Sequence, residues 1–270
     1  MSAFYTDLMN RAAIAAAEAI LAIYRDGAVA IEKADGSPVP EADQRAEAII
    51  LAHLAETGLP VLAEESVAAG RIPELGERYF VVDPLDGTKE FLKRNGEFTV
   101  NIALCEAGRP VSGVVLAPAS GDIYWGGPYG AHAGRVVDGA ITAQRPLSVN
   151  REHRPLRIVA SRSHGHEALA ELCSALDVAE DVSVGSSLKF CLLADGAAQL
   201  YPRFTPTSEW DTAAGQAVLQ AAGGVVLDLD GLPLTCGHPE RKFLNAWFVA
   251  ASSQELALAA LAHMARFAES

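Results

Sequence analysis

The stretch Asp83-Pro84-Leu85-Asp86-Gly87-Thr88-Lys89-Glu90-Phe91 decides how this chain is interpreted, and the apolar run Tyr79-Phe80-Val81-Val82 leads directly into it. The apolar run predicts a short buried strand. Because Pro84 has a fixed φ and no N–H, we expect the strand to end at that residue. The strand then delivers the carboxylate of Asp83 at its end, and a second carboxylate, Asp86, follows three residues later.

These two carboxylates lie on a stiff turn, where their charges repel unless a cation lies between them. Mg2+ prefers oxygen ligands and typically uses one or two carboxylates together with a substrate phosphate. Gly87 permits a tight turn and Thr88 can begin a helix, so free backbone N–H groups would face the same space and could bind phosphate. Since Asp, Pro and Gly are also ordinary turn residues, a surface turn is the competing interpretation of this stretch alone.

Composition restricts the class of protein. Of the 270 residues, 50% are hydrophobic and 20% are charged, which is typical of a globular protein with a sizeable core. The net charge of −13 argues against a surface that binds nucleic acid or an anionic membrane. It also means that a phosphorylated ligand needs local positive charge, which a bound metal can supply.

Cysteine usage and the N-terminal sequence predict the compartment. The four cysteines are widely spaced and form no C-x-x-C pair, which predicts free thiols in a reducing compartment. The N-terminal stretch has no basic region before its apolar face, so we expect neither a signal peptide nor a transmembrane helix. A cytoplasmic location follows as an expectation.

The pattern of predicted elements changes near residue 154, which predicts that the chain has two structurally different halves. Residues 98–149 contain short apolar runs at regular intervals, separated by Gly, Pro and Asp, which predicts an antiparallel meander. After Arg154-Pro155, strands and helices alternate, as in an α/β unit. We therefore predict an α+β half over residues 1–153, with most candidate metal ligands, and an α/β half over residues 154–270.

Further carboxylates stand at the ends of predicted elements. Glu64 and Glu65 follow a predicted strand over Pro60-Val61-Leu62-Ala63. Because adjacent strand side chains point to opposite faces, only one of the two can enter a shared site, and we expect the other to be exposed. Asp43 and Asp211 each lie in the first turn of a predicted helix, where a carboxylate either stabilises the helix dipole or faces a metal. For Asp43 the local sequence favours the dipole role.

Three motifs in this order resemble the signature of the inositol monophosphatase superfamily. They are Glu64-Glu65-Ser66, Asp83-Pro84-Leu85-Asp86-Gly87-Thr88 and Trp210-Asp211-Thr212-Ala213-Ala214-Gly215. Narrower segments resemble the bacterial 3'(2'),5'-bisphosphate nucleotidases of the CysQ type, namely residues 87–101, Ser161-Arg162-Ser163-His164 and residues 185–192. The resemblance runs from about residue 30 to residue 250 and so covers most of the chain.

The resemblance implies a layered αβαβα sandwich with an α+β first half and an α/β second half. It implies hydrolysis of 3'-phosphoadenosine 5'-phosphate to AMP and phosphate, by in-line attack of a water molecule that Mg2+ activates, with inhibition by lithium. Such an enzyme serves sulfur assimilation. Its partner is a small phosphorylated nucleotide, with no nucleic acid and no transmembrane segment, and peripheral association with the cytoplasmic face of the inner membrane is compatible with it.

By motif position the resemblance also assigns roles to residues. Two or three Mg2+ ions would be bound by Glu64, Asp83, Asp86 and Asp211 and by the carbonyl of Leu85. Asp43 and Thr88, with Glu64, would orient and deprotonate the attacking water. The substrate would be held by Asp86, Gly87, Thr88, Lys89 and Asp211 at the phosphate and by Ser186, Lys189 and Arg203 at the nucleotide. One departure from the family is Pro40, which replaces a threonine whose hydroxyl could cap the helix that carries Asp43.

Three alternatives remain open. An inositol monophosphatase-like sugar phosphatase usually carries Thr-Asn where this chain has Lys89-Glu90, and the same motif argues against a fructose-1,6-bisphosphatase. A catalytically silent metal- or phosphate-binding module would lack a ligand, and none is missing. The chain has no G-x-S-x-G motif and no cysteine in a recognisable nucleophile loop, which favours attack by water. The sequence leaves the oligomeric state and the number of ions open.

Overall fold

The structure is a computed structural model that describes residues 2–25, 31–32, 38–39, 41–152, 155–160 and 167–268. The Pro40 position and the Ser161–His164 motif lie outside the described residues. Within them, the α-helices are α1 (Ser2–Arg25), α2 (Glu41–Leu54), α3 (Glu64–Ala68), α4 (Thr88–Leu92), α5 (Glu167–Ala175), α6 (Leu188–Ala194), α7 (Glu209–Ala221) and α8 (Gln254–Ala268).

The strands fall into two large sheets and two short pairs. The strands are β1 (Ile31–Glu32), β2 (Pro38–Val39), β3 (Val61–Ala63), β4 (Arg78–Asp86), β5 (Thr99–Glu106), β6 (Arg109–Ala117), β7 (Asp122–Gly127), β8 (Gly130–Val137), β9 (Ala140–Leu147), β10 (Leu156–Ile158), β11 (Val178–Asp181), β12 (Leu200–Arg203), β13 (Thr207–Ser208), β14 (Val225–Asp228), β15 (Leu244–Asn245) and β16 (Phe248–Ala251). One sheet has the order β3-β4-β5-β6-β7-β8-β9 and the other has the order β11-β10-β12-β16-β14.

Five layers result from the way these elements bury their apolar faces. Along β4, Phe80 and Val82 pack toward α1 and α2, whereas Val81 packs toward α6 and α7, because successive strand side chains point to opposite faces. The second sheet lies against α6 and α7 on one face and against α5 and α8 on the other. This order confirms the predicted αβαβα sandwich. The division at residues 153/154 stays a prediction, because the middle core joins residues of both ranges.

The meander is confirmed, but two strands of the large sheets, β9 and β11, were not predicted. The apolar runs of residues 98–137 form β5 to β8, which pair antiparallel in sequence order. No apolar pattern marks β9 or β11, because most of their side chains are exposed or half-buried. Backbone pairing at a sheet edge does not require an apolar pattern, so such strands leave no period-2 trace.

The predicted end of the strand at Pro84 is wrong. β4 continues to Asp86, and its register against β5 shifts between the pair Asp83–Asn101 and the pair Asp86–Thr99. Pro84 falls inside this irregularity, where the ladder does not need its missing N–H. The bulge therefore has the effect that was expected of a strand end at Pro84: it places two carboxylates close together at the end of a buried strand.

Two findings concern the environment of the chain. No helix among the described residues is long and apolar enough to cross a membrane. Cys105, Cys173, Cys191 and Cys236 all have free thiols.

Glycines let α7 pack directly on the first sheet. A Cβ on Gly113 of β6 would overlap the carbonyl oxygen of Ala214, and a Cβ on Gly126 of β7 would lie 2.7 Å from the Cα of Val218. Without side chains at these two positions, the helix backbone approaches the strands closely. The position of α7, and of the residues in its first turn, is therefore fixed by backbone contact.

We expect Gly113→Ala to destabilise the protein by about 1–3 kcal/mol, because the added methyl group must push α7 away from the sheet. Gly76→Ala is the matched control, since a Cβ at Gly76 meets nothing within 4 Å. Urea unfolding of both variants measures the difference. Equal stability losses in the two variants would contradict the close helix-to-sheet contact.

Candidate active site

Carboxylates from distant parts of the sequence meet at one point between the two sheets. Asp83 and Asp86 come from the end of β4, and Asp211 comes from the first turn of α7. Each offers one oxygen atom, and these oxygens all lie within 4.8 Å of one another. Glu64, the first residue of α3, lies within hydrogen-bonding reach of the Asp83 carboxyl group. The structure thus brings together all four carboxylates that the sequence nominated as metal ligands.

Burial raises the pKa of all four carboxyl groups in this cluster, and for Glu64, Asp83 and Asp86 the charges of neighbouring carboxylates add to the rise. Burial, followed by the charge of Asp211, raises the pKa of Glu64 to about 7 and that of Asp86 to about 6. Burial and the neighbouring Glu64 raise the pKa of Asp83 well above its usual range, and burial also raises the pKa of Asp211. A set of buried carboxylate oxygens that resists ionisation is stabilised by a hard divalent cation, so the donor set fits Mg2+.

Local hydrogen bonds fix the direction of two of these carboxylates. The backbone N–H of Leu85 donates to Asp83 Oδ1 at 2.9 Å. The hydroxyl of Thr207 and the backbone N–H of Ser208, 3.2 Å away, both donate to Asp211 Oδ2. The second bond belongs to the N-terminal cap of α7, so the structure that begins the helix also orients this candidate ligand.

Glu64 and Glu65 diverge for a reason other than the predicted one. Both belong to α3, a helix that was not predicted, and no strand continues through them. Glu64 faces Asp83, whereas Glu65 lines a different cavity together with Glu47 and Arg71. Glu65 is half-buried, so the expectation that it is exposed is wrong. Its backbone N–H donates to the buried carboxylate of Glu47 at 2.8 Å, which fixes the start of this helix.

Asp43 and Thr88 lie at the starts of two further helices. Asp43 is buried in the first turn of α2, and its charge contributes to the raised pKa of Asp83, so it lies close to the cluster. Thr88 begins α4 directly after Gly87, whose φ of +94° and close approach to the Glu97 carbonyl both require glycine. Whether Asp43 and Thr88 act on water stays a prediction.

A cavity of about 170 Å3 adjoins the cluster, and its lining includes the carboxylates Asp86, Glu90, Glu97 and Asp211 together with the basic residues Lys189 and Arg203. Lys189 is only 6% exposed, and its Nζ donates to the Ser186 carbonyl at 2.8 Å. Burial lowers the pKa of Lys189, and the charge of Asp86 acts in the opposite direction. The guanidinium of Arg203 also lines the cavity, and its Nε donates to the carbonyl of Thr205 at 3.1 Å. The cavity therefore places positive charge beside the acidic cluster.

Only some of the remaining predicted substrate residues line the cavity. Gly87 and Ser186 line the cavity. The side chain of Lys89 is exposed, and Lys89 is not among the residues that line the cavity. Sequence reasoning missed Ser187, Asn101 and Glu97, which connect the cavity wall to the cluster. Asn101 had a signal that could have found it, because it is a polar residue inside the apolar run of β5.

The chain belongs to the inositol monophosphatase family, whose model matches residues 3–269. Members of this family are metal-dependent, typically on Mg2+, and the carboxylate cluster fits that class.

Its relatives are more specific. The 3'(2'),5'-bisphosphate nucleotidase CysQ of Salmonella typhimurium is 48% identical over 238 residues, which are 86% of this chain and 94% of that protein. The solved structure of CysQ from Bacteroides thetaiotaomicron matches with a TM-score of 0.78 and 38% identity, over 92% of this chain and 97% of that one. The inositol monophosphatase from Anabaena matches with a TM-score of 0.75 and 25% identity, over 97% and 95% of the two chains. These findings confirm the resemblance that the motifs indicated.

The raised pKa values predict how stability depends on pH. Groups whose pKa is higher in the folded chain than in the unfolded chain stabilise the fold at low pH, and that stability is lost as pH rises through their folded values. For Glu64 and Asp86 these values are about 7 and about 6. In EDTA we therefore expect the melting temperature to fall between about pH 5 and pH 8, with a loss of a few kcal/mol in total. Mg2+ should stabilise the protein more at pH 8 than at pH 5.

Thermal unfolding with EDTA and with Mg2+ across this range makes the measurement. Asp83→Asn serves as the control, because it removes one of the repelling charges and should flatten the pH dependence in EDTA. A melting temperature in EDTA that stays level or rises between pH 5 and pH 8 would contradict the proximity of these carboxylates.

Proposed function

We propose that this chain is a Mg2+-dependent phosphatase that hydrolyses 3'-phosphoadenosine 5'-phosphate to AMP and phosphate. The observation that supports the proposal best is the cavity that joins the carboxylate cluster to the buried Lys189 and to Arg203. A substrate with two phosphates needs one site where a phosphate ester is cleaved and another where the second phosphate is held. The named relatives, which align with most of this chain, support the same substrate.

We assign the binding of two or three Mg2+ ions to Glu64, Asp83, Asp86 and Asp211 and to the carbonyl of Leu85. When bound, Mg2+ would supply a Lewis acid that withdraws charge from phosphoryl oxygens and makes water more acidic. The chain contributes carboxylates whose directions are fixed before the ion arrives, through the bonds from Leu85 to Asp83 and from Ser208 to Asp211. Fixed donors need little reorganisation during the reaction, which favours catalysis.

The attacking water and the phosphate are assigned to the starts of α2 and α4. The Asp43 carboxylate would take a proton from water by way of the Thr88 hydroxyl, with Glu64 on the other side of the water. Backbone N–H groups of Gly87, Thr88 and Lys89 would hold the phosphate. As the oxygen of water bonds to phosphorus, the bond from phosphorus to the 3' oxygen breaks and the 3' oxygen keeps its electron pair. It would take a proton from solvent, and the proton held by Asp43 would return to solvent, so the products are AMP and inorganic phosphate.

Substrate choice is assigned to the basic side of the cavity. Lys189 is buried beside the ring of Tyr201, with its Nζ 5.7 Å from the ring centre. A desolvated ammonium group interacts strongly with an anion that enters its cavity, whereas exposed lysines of this acidic chain gain little from one. Arg203 can bind a phosphate with two parallel hydrogen bonds or stack on adenine. Ser186 would add a hydroxyl donor.

We also propose a cytoplasmic location, which the four free thiols support. The small phosphorylated nucleotide would be the partner that the site recognises.

The direct test assays 3'-phosphoadenosine 5'-phosphate, inositol monophosphate and fructose-1,6-bisphosphate side by side with Mg2+. We expect the highest kcat/KM for the bisphosphate nucleotide, because it alone places a second phosphate and a base against Lys189 and Arg203. A higher kcat/KM for inositol monophosphate would instead support the sugar phosphatase alternative.

Substituting Lys189 or Arg203 tests the binding of the second phosphate separately from the metal site. We expect Lys189→Ala or Arg203→Ala to lower kcat/KM for the bisphosphate about thirtyfold, on the order of 2 kcal/mol, because the second phosphate loses its partner. A small phosphomonoester without the second phosphate should lose far less. Lys93→Ala is the matched control, since this lysine is exposed. Equal losses on both substrates would mean that these residues support the metal site or the fold instead.

A further inference from the structure

The hydroxyl group of Ser187 joins three elements of the fold at the cluster. Ser187 is only 2% exposed and precedes α6. Its Oγ lies 2.9 Å from Nδ2 of Asn101 in β5, 2.9 Å from Oδ2 of Asp86 at the end of β4, and 2.7 Å from the carbonyl oxygen of Asp211 in α7. A single buried atom therefore contacts β5, the proposed ligand Asp86 at the end of β4, and the backbone of the proposed ligand Asp211 in α7.

The single proton of the Ser187 hydroxyl limits which hydrogen bonds this group can donate. A hydroxyl donates one hydrogen bond and accepts two. The Asn101 amide donates to Ser187, so the single Ser187 proton serves both the Asp86 carboxylate and the Asp211 carbonyl. Bonds to a charged acceptor are the stronger ones, and the Asp86 carboxylate also accepts a hydrogen bond from the Ser187 backbone, so the hydroxyl and the backbone of Ser187 together fix its direction. The Asp211 backbone is held against the same atom, so Ser187 sets the spacing between Asp86 and the first turn of α7.

The same residue ends a strained turn in the cavity wall. Ser186 has a φ of +48°, in the left-handed region that non-glycine residues seldom adopt. The turn is held at its other end by the Gly185 N–H, which donates to Glu97 Oε2 at 2.9 Å, and a Cβ on Gly185 would lie 2.9 Å from the Glu97 carbonyl. Between these two attachments, the Ser186 carbonyl receives the Nζ of Lys189. The Ser187 hydroxyl thus ties the turn that orients Lys189 to the ligand Asp86.

We propose that Ser187 is a positioning residue that fixes Asp86 relative to Asp211 and attaches the Lys189 turn to the same point. The proposal rests on the function proposed above, since it concerns the geometry of that metal site. It predicts that loss of the hydroxyl weakens Mg2+ binding even where the fold is unchanged. A residue with only a packing role would lower stability and leave Mg2+ affinity as it was.

The test is calorimetric titration of Mg2+ alone into the metal-free full-length protein, without substrate. We expect Ser187→Ala to raise the Mg2+ dissociation constant about tenfold, the equivalent of about 1.4 kcal/mol. Ser187→Cys keeps nearly the same volume but donates a much weaker hydrogen bond, so it should be as defective as the alanine variant. Ser252→Ala removes another buried serine hydroxyl, just after β16, and should leave Mg2+ affinity unchanged.

Each outcome decides a different question. If the unaltered protein binds no Mg2+, the proposed function fails, and the Ser187 proposal fails with it. If the unaltered protein binds Mg2+ and both Ser187 variants bind it within twofold of the same affinity, the positioning role alone is overturned. Normal affinity in Ser187→Cys with weak binding in Ser187→Ala also overturns it, because volume would then be sufficient. Thermal unfolding in EDTA shows which variants fold, and if Ser187→Ala does not, Ser187→Cys decides.

Discussion

Repulsion among buried carboxylates is the constraint on which the rest of this structure depends. Asp83, Asp86 and Asp211 have oxygens within 4.8 Å of one another, and burial raises the pKa of all three carboxyl groups, with like charge adding to the rise for Asp83 and Asp86. Nothing in the local sequence favours such an arrangement, so the packing energy of the whole fold must hold it. The fold therefore holds a strained, preorganised site. A divalent cation bound there would relieve the repulsion, and this relief would favour its binding.

The five-layer architecture supplies the packing energy that holds these carboxylates together. β4 is held between β3 and β5 in the first sheet, and α7 is fixed against the same sheet by backbone contact at Gly113 and Gly126. Cores lie on both sides of each sheet, so neither element can retreat from the other without opening a cavity. The two carboxylate-bearing ends meet because the large apolar faces around them are buried. The cavity with Lys189 opens at the same junction, where the two sheets and α6 converge.

Much of the site was predictable because its ligands stand directly beside apolar runs. Asp83 follows Tyr79–Val82 and Glu64 follows Val61–Ala63, so the runs predicted the strands and the strands placed the carboxylates. The predictions that were wrong or missing concern contacts between residues that are distant in sequence. Pro84 was expected to end β4, but pairing with β5 carries the strand past it. Ser187 looked like one small residue among several, because its meaning comes from Asn101 and Asp86, which lie about ninety residues away in sequence. β9 was missed since exposed edge strands leave no apolar period.

The measurement that tests the account most directly is anomalous diffraction from crystals of this protein soaked in Mn2+, a cation that oxygen ligands bind much as they bind Mg2+. The account predicts a strong anomalous peak within about 2–2.5 Å of carboxylate oxygens of Asp83, Asp86 and Asp211. It also predicts that this peak is lost in Asp86→Asn crystals of the same form. Absence of a peak among these three residues, or a peak that persists unchanged in the variant, would contradict the claim that the carboxylates converge in order to hold a metal ion.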